Sequence, residues 1–145
     1  MPDTLSSPVV LRTGRHLVDA GLIDGDADQT ADRIGERYSI AIPSGLAALI
    51  DPNDPEDPIA RQFVPDAAEL ETSDGELEDP IGDGAHSPVP GLVHRYPDRV
   101  LLMPTLCCPV YCRYCFRRDR VGRDADAPTA EDVDRAISYI TAHED

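Results

Sequence analysis

Four cysteines, Cys107, Cys108, Cys112 and Cys115, fall within nine consecutive positions and account for every cysteine in the chain. The spacing Cys108-x3-Cys112-x2-Cys115 puts three thiols on one short loop. Clustered thiols in a reducing compartment read as metal ligands or redox groups, not as disulfides. A structural zinc ion asks for four ligands that close a tetrahedron. Cys107 is the nominal fourth, although adjacent residues rarely aim both thiolates at one metal. Three thiolates suit a four-iron cluster that leaves one iron without a protein ligand. Such an iron can hold a small molecule, and Arg113, Arg117, Arg118, Arg120 and Arg123 follow closely enough to balance its anionic groups. On spacing alone both metals stay open.

The charge pattern sharpens this. All 13 basic residues are Arg, so no lysine amine is available in the chain for imine chemistry. Residues 1–90 carry 19 acids against five Arg, a net of −14. Residues 91–123 carry seven Arg against Asp98 and Asp119, a net of +5, and residues 124–145 return to −6. An acidic chain whose one basic island also holds every cysteine points to small anionic ligands there. Nucleic acid is disfavoured as a partner, because an acidic body repels phosphate and no basic stripe with interleaved aromatics is present. The longest apolar stretch, Ala41–Ile50, is far below the roughly 20 residues that span a bilayer. No basic segment followed by an apolar one opens the sequence, so no secretory signal or membrane partner is expected and the cytoplasm is the default location.

The elements that must position this loop are short. With 145 residues, 41% of them hydrophobic, one domain with a modest core is expected. Leu11–Ile23 has rough helical spacing with Gly21 as a stop, and Asp28–Tyr38 reads as a second helix with Asp28 as its N-cap. Ser44 is placed to cap a further turn or two through Ile50. From Asp51 the run Asp-Pro-Asn-Asp-Pro-Glu-Asp-Pro cannot sustain a helix, and residues 65–91 are broken by repeated Pro and Gly. This stretch is expected to wrap on the rest, with Phe63, Val64, Leu77, Ile81, Val89, Leu92 and Val93 as anchors. Arg99–Met103 has strand length and no alternation, which predicts a strand buried on both faces as in a parallel sheet. Thr129 and Asp132 form a capping-box-like start to a helix with Val133, Ala136, Ile137 and Ile140 on one face. Strand, long loop and amphipathic helix make the first βα unit of an α/β fold.

The run Cys108-Pro-Val-Tyr-Cys-Arg-Tyr-Cys-Phe-Arg-Arg resembles the cluster loop of radical S-adenosylmethionine enzymes, and more narrowly the lysine 2,3-aminomutase family. Two upstream segments are similar to that family as well, Leu49–Pro65 and Asp79–Leu102. The resemblance covers roughly residues 30–145. It implies an α/β fold with a helical and irregular extension over residues 1–91, followed over 92–145 by the start of a partial (β/α) barrel. It also implies a truncated, N-terminal part of such an enzyme, because the glycine-rich strand end and the lysine that anchors pyridoxal phosphate belong to later segments of the family. The catalytic groups would then lie elsewhere, and the piece alone would be inactive.

By the same resemblance, Cys108, Cys112 and Cys115 would hold a 4Fe-4S cluster and the open iron would chelate S-adenosylmethionine. Arg95 and Tyr96 fall where the family contacts pyridoxal 5′-phosphate, with Arg99 close by. Arg117 falls where the family binds the substrate carboxylate, a task that suits a bidentate guanidinium. The implied reaction is the 1,2-migration of the amino group of L-lysine to give β-lysine, an isomerase activity. The implied partners are the amino acid, an electron donor such as a flavodoxin or ferredoxin, and further copies of the full-length protein. Relatives acting on a lysine of elongation factor P share the Cys-Arg-Tyr-Cys-Phe-Arg-Arg run and form the rival reading. A non-catalytic iron–sulfur or zinc remnant, or a split subunit, is the reading outside the enzyme class. Asp119 departs from the third Arg of the family's run. Arg113, Arg118, His86 and His94 are expected to be structural, and Cys107 to be a small buried residue.

Overall fold

Extended backbone at Thr13 gives way to the first helix, where the Thr13 hydroxyl accepts the His16 N–H at 3.2 Å. The computed structural model describes residues 9–122 and 126–143. Strand β1 is Val10–Leu11 and helix α1 is Gly14–Asp19, and α1 ends where Gly21 takes a left-handed φ of 69°. Helix α2 is Asp28–Arg37. Its N-cap is Ala27, not Asp28, whose carboxylate instead accepts the neighbouring Gln29 N–H at 2.6 Å. A turn from Asp24 to Ala27 already leads the chain into the helix, whose N-cap has no side-chain cap bond.

The two helices approach so closely that a Cβ at Gly14 would lie 2.0 Å from the Asp28 carbonyl oxygen. Only a glycine fits this contact. Strand β2, Ile42–Pro43, pairs antiparallel with β1. Leu17, Ala31, Ile40 and Ile42 form a buried cluster against which Leu11, Leu22, Phe63 and Val64 pack. Ser44–Ala47 makes the single turn α3, shorter than the run to Ile50 that Ser44 suggests.

The proline-rich stretch does wrap on this base. Asp57 organises it, its carboxylate accepting the N–H groups of Asp51, Ile59 and Ala60. The bonds from Ala60 and Asp51, offset in part by desolvation, hold its pKa below the ordinary carboxylate value. Helix α4, Ala60–Phe63, brings Phe63 and Val64 to the core as anchors, and a 3₁₀ turn follows at Ala67–Leu70. Leu77 is 68% exposed and anchors nothing.

Strand β3, Leu92–Tyr96, pairs antiparallel with β4, Arg99–Leu102, through Leu92↔Leu102, Val93↔Leu101 and Tyr96↔Arg99. This corrects the expectation of a parallel strand buried on both faces. Pro97 and Asp98 turn the chain back on itself, and the buried residues are Leu92 and Val93 of β3. Leu101 and Leu102 of β4 are exposed. The described residues therefore form a mixed α/β arrangement of short helices and two small antiparallel sheets. Among them no helix is long and apolar enough to cross a membrane.

Helix α5, Ala130–Thr141, starts at the anticipated capping box, with Thr129 Oγ1 accepting from Asp132 N and the Asp132 carboxylate returning the bond to Thr129 N. Ala136 is fully buried, Val133 and Ile140 are half-buried, and Ile137 is 51% exposed, against the expected face. Tyr139 joins the packed side instead, its hydroxyl 2.9 Å from His94 Nδ1 and its ring stacked on His143 at 4.0 Å. Thr129→Ala is expected to cost about 1 kcal/mol, read as faster amide exchange in the first turn of α5. The hydrogen bonds from Thr129, aided by Arg135, lower the Asp132 pKa to about 2. The stabilisation is present above the unfolded carboxylate range and is lost as pH falls through 2. The amide protection of this turn should therefore decline from about pH 4 downward.

Candidate functional site

The cysteine loop is built onto the N-terminal base through two residues that lie between its thiols. Tyr111 is 1% exposed and packs with Ile34, Tyr38 and Ala41. Its N–H donates to the Ala41 carbonyl at 2.9 Å and its hydroxyl to the Arg118 carbonyl at 2.6 Å, and burial pushes the phenol well above its ordinary pKa. Arg113 is the second. Its Nε bonds both Glu69 oxygens at 3.0 and 3.1 Å, its Nη2 reaches Glu69 Oε2 at 2.5 Å, and its Nη1 donates to the Ser39 carbonyl at 2.8 Å. Its backbone N–H donates to the Gln62 carbonyl at 2.8 Å. The loop closes at Gly122, whose N–H donates to the Leu106 carbonyl. Gly122 has a φ of 84°, and a Cβ there would meet Ser39 Oγ at 2.3 Å.

All four cysteines are free thiols. Cys108, Cys112 and Cys115 are half-buried, and Cys107 is exposed, which corrects the expectation that it is buried. The turn in which Cys107 N–H donates to Thr105 Oγ1 precedes the packed part of the loop. Cys115 N–H donates to the Cys112 carbonyl at 3.2 Å, and Cys115 Sγ accepts the Arg117 N–H at 3.4 Å. Cys108 Sγ donates to the Val110 carbonyl at 2.8 Å. The charge of Cys112, burial, and the charge of Cys115 raise the Tyr114 hydroxyl pKa above its ordinary value. Among the described residues no three His, Cys, Asp or Glu side chains converge closely enough to hold a metal ion. The donor set itself suits an iron–sulfur cluster. Three accessible thiols share one tight loop, and one sulfur already accepts the kind of backbone N–H bond that tunes cluster sulfurs.

Beside this loop lies a cavity of about 330 Å³ lined by Ile81, Asp83, Val93, Arg95, Tyr96, Arg99, Val100, Leu101 and Arg117. The hairpin supplies Arg95, Tyr96 and Arg99, and the residue two beyond Cys115 supplies Arg117. Four residues singled out from the sequence thus meet at one place. Tyr96 is 52% exposed, so it is not a packing residue of the core, and the Arg99 guanidinium lies 4.8 Å above its ring. Arg99 also contacts Asp98 at 3.6 Å.

Asp83 was not singled out from the sequence. It is 3% exposed, and its carboxylate pairs with Arg117 Nε at 2.7 Å and Arg95 Nη2 at 3.3 Å. Arg95 Nη2 also donates to the Ile81 carbonyl. Gly82, at a φ of 68°, lets the chain turn so that the Asp79 carboxylate accepts the N–H groups of Asp83 at 2.9 Å and Gly84 at 2.7 Å. Those bonds, the one from Gly84 foremost, lower the Asp79 pKa. The signal available in the sequence was the Asp-x3-Asp-Gly spacing within a turn-rich stretch.

Arg113 is structural as anticipated, and so is Arg118, which contacts Glu76 at 3.2 Å and lies 4.4 Å from the Tyr38 ring centroid. His94 is held by Tyr139. Arg123 lies outside the described residues.

Comparison with known proteins gives a consistent set of relatives. The chain is 50% identical over 101 residues to the L-lysine 2,3-aminomutase of Clostridium subterminale, covering 70% of this chain and 24% of that protein. It is 46% identical over 105 residues to the enzyme of that name from Fusobacterium nucleatum, covering 72% of this chain and 25% of that protein. A glutamate 2,3-aminomutase of Clostridioides difficile is 34% identical over 112 residues, covering 77% of this chain and 26% of that protein. The chain thus spans about a quarter of the length of these curated relatives. No family model matches it.

Proposed function

We propose, for a chain that belongs over its matched residues to the lysine 2,3-aminomutase family, that it supplies the cluster loop and part of the cofactor pocket of an amino acid 2,3-aminomutase. The observation that carries this reading is the meeting of Arg95, Tyr96, Arg99 and Arg117 in one cavity beside the loop of Cys108, Cys112 and Cys115. When bound, a 4Fe-4S cluster with S-adenosylmethionine supplies a hydrogen-abstracting radical, and pyridoxal phosphate carries the amino group as it changes carbon.

Cys108, Cys112 and Cys115 hold the cluster as thiolates. Arg95 would balance the phosphate of pyridoxal phosphate, and Tyr96, which lines the same cavity, would contribute an aromatic contact to the cofactor. Arg117 takes the substrate carboxylate. Its Nη atoms make no hydrogen bond or ion pair among the described residues, so an edge of the guanidinium remains for that purpose. Leu101, Val93 and Ile81 line the same cavity with apolar surface.

The barrel architecture that begins near residue 92, a cytoplasmic location, a small electron-transfer donor and self-association belong to this same proposal. Lysine is the proposed substrate because the relatives at 46–50% identity bear that name, whereas the glutamate-named relative stands at 34%. The test is an anaerobic assay of the protein carrying this chain, with iron, sulfide, S-adenosylmethionine, pyridoxal phosphate and a reductant. β-Lysine from L-lysine is the expected product. β-Glutamate from L-glutamate in its place would move the substrate, and no product from either with a filled cluster would sink the aminomutase reading.

A further inference from the structure

Arg95 and Arg117 come from different parts of the fold, the first from a hairpin strand and the second from the cysteine loop. Their side chains are one-third exposed, whereas the Asp83 side chain between them is 4% exposed. Each carboxylate oxygen serves a different arginine, Oδ1 for Arg95 and Oδ2 for Arg117. The backbone that carries this carboxylate is fixed on both sides. Asp79 holds the Asp83 N–H, Ser87 Oγ donates to the Asp83 carbonyl at 2.8 Å, and the His86 N–H donates to the same carbonyl at 3.0 Å.

A buried acid is a costly choice for a pocket that binds anions, because it repels the ligand that the arginines attract. Its geometry offers the compensation. Two long, rotamer-rich side chains are tied to one rigid point before any ligand arrives, which removes part of the ordering cost of binding. We propose that Asp83 is a positioning residue that couples Arg95 and Arg117 into a single receptor for a ligand bearing both a phosphate and an α-carboxylate. The inference rests on the reading of the cavity given above. Its content is the coupling: the carboxylate end of a ligand binds better because the phosphate end is already seated, and Asp83 is why.

The probe is phosphopyridoxyl-L-lysine, the stable secondary amine that joins the pyridoxal phosphate carbon to a lysine nitrogen and keeps the α-carboxylate. Pyridoxamine 5′-phosphate is the companion lacking it. Both fluoresce, so dissociation constants for the protein carrying this chain follow from titration without catalysis. Their ratio measures what the amino-acid end adds once the phosphate end is seated, and the dependence of that ratio on Asp83 is the readout of coupling.

In the wild type phosphopyridoxyl-lysine should bind at least tenfold tighter. Asp83→Asn, which keeps the shape and removes the charge, should bring the ratio below about threefold even if both ligands bind more tightly in absolute terms. Asp83→Glu keeps the charge but lengthens the arm by one methylene, and it should lose the ratio as well. Restored coupling in Asp83→Glu together with loss in Asp83→Asn would make charge alone sufficient and overturn positioning. A ratio held within twofold in both variants would also overturn it while leaving the cavity reading intact. Failure of the wild type to bind either compound would overturn the cavity reading and the coupling with it. Should Asp83→Asn fail to fold by circular dichroism, the decision falls to Asp83→Glu: a wild-type ratio overturns the proposal and a lost one supports it.

Discussion

Alanine at Cys108, Cys112 or Cys115 should abolish the brown absorption that the chain acquires on anaerobic reconstitution with iron and sulfide, whereas alanine at Cys107 should leave it intact. About four iron per chain are expected in the wild type if three thiolates carry a four-iron cluster. The contrast between the cysteines follows from their positions. Cys112 and Cys115 are joined by a backbone turn, and Cys108 lies at the proper spacing on the same loop. Cys107 is exposed, adjacent to Cys108, and held by a separate turn through Thr105. Removing one of three ligands exposes a second iron and lets the cluster decompose, so the effect on bound iron should be near-total. Metal analysis and the visible spectrum read it directly. A colourless protein with one tightly bound zinc that is lost on Cys107→Ala would replace the cluster with a tetrahedral site.

The second large effect is on stability. Glu69→Ala should destabilise the chain by about 3–5 kcal/mol, a large share of a typical total of about 5–15 kcal/mol. The Arg113 side chain is 7% exposed and Glu69 is 14% exposed, so the variant strands a guanidinium where water cannot replace its partner. The remaining bond from Arg113 Nη1 to the Ser39 carbonyl does not balance the charge. The double variant Arg113→Met, Glu69→Leu should be milder than the single one, because it removes both desolvated charges and keeps apolar volume. Urea midpoints of the three proteins decide this. Single variants within about 0.5 kcal/mol of the wild type would show that the pair is better hydrated than its burial indicates. Because Arg113 lies directly after Cys112, Glu69→Ala should also lower iron uptake without touching a ligand.

Local signals served well where the controlling interaction is local. The capping box at Thr129 and Asp132 lies three residues apart and formed as expected. The wrapping of the proline-rich stretch was expected from its spaced apolar residues, of which Phe63 and Val64 reach the core while Leu77 does not. The same kind of reading failed for Arg99–Met103, of which Arg99–Leu102 is an antiparallel hairpin strand. An apolar run of strand length looks alike whether a strand is covered on both faces or paired only along one edge, and the turn at Pro97–Asp98 was the cue that separates them. Ile137 failed for a related reason. The helical period places it beside Ile140, but the side that packs was chosen by the contact of Tyr139 with His94, a residue 45 positions away.

The residue types available to the candidate site are legible without a fold. Thiol spacing, the absence of lysine and the concentration of arginine in one island are properties of residue type, and they limit the ligands before any fold is known. How those residues are joined is settled by contacts between distant parts of the chain. Glu69 stabilises the cysteine loop from 44 positions before Arg113, and Asp83 meets Arg117 across 34 positions and Arg95 across 12. No period or motif encodes such pairings. A carboxylate in a turn looks the same in sequence whether it faces water or two guanidiniums, and burial, which removes water as the competing partner, makes the difference.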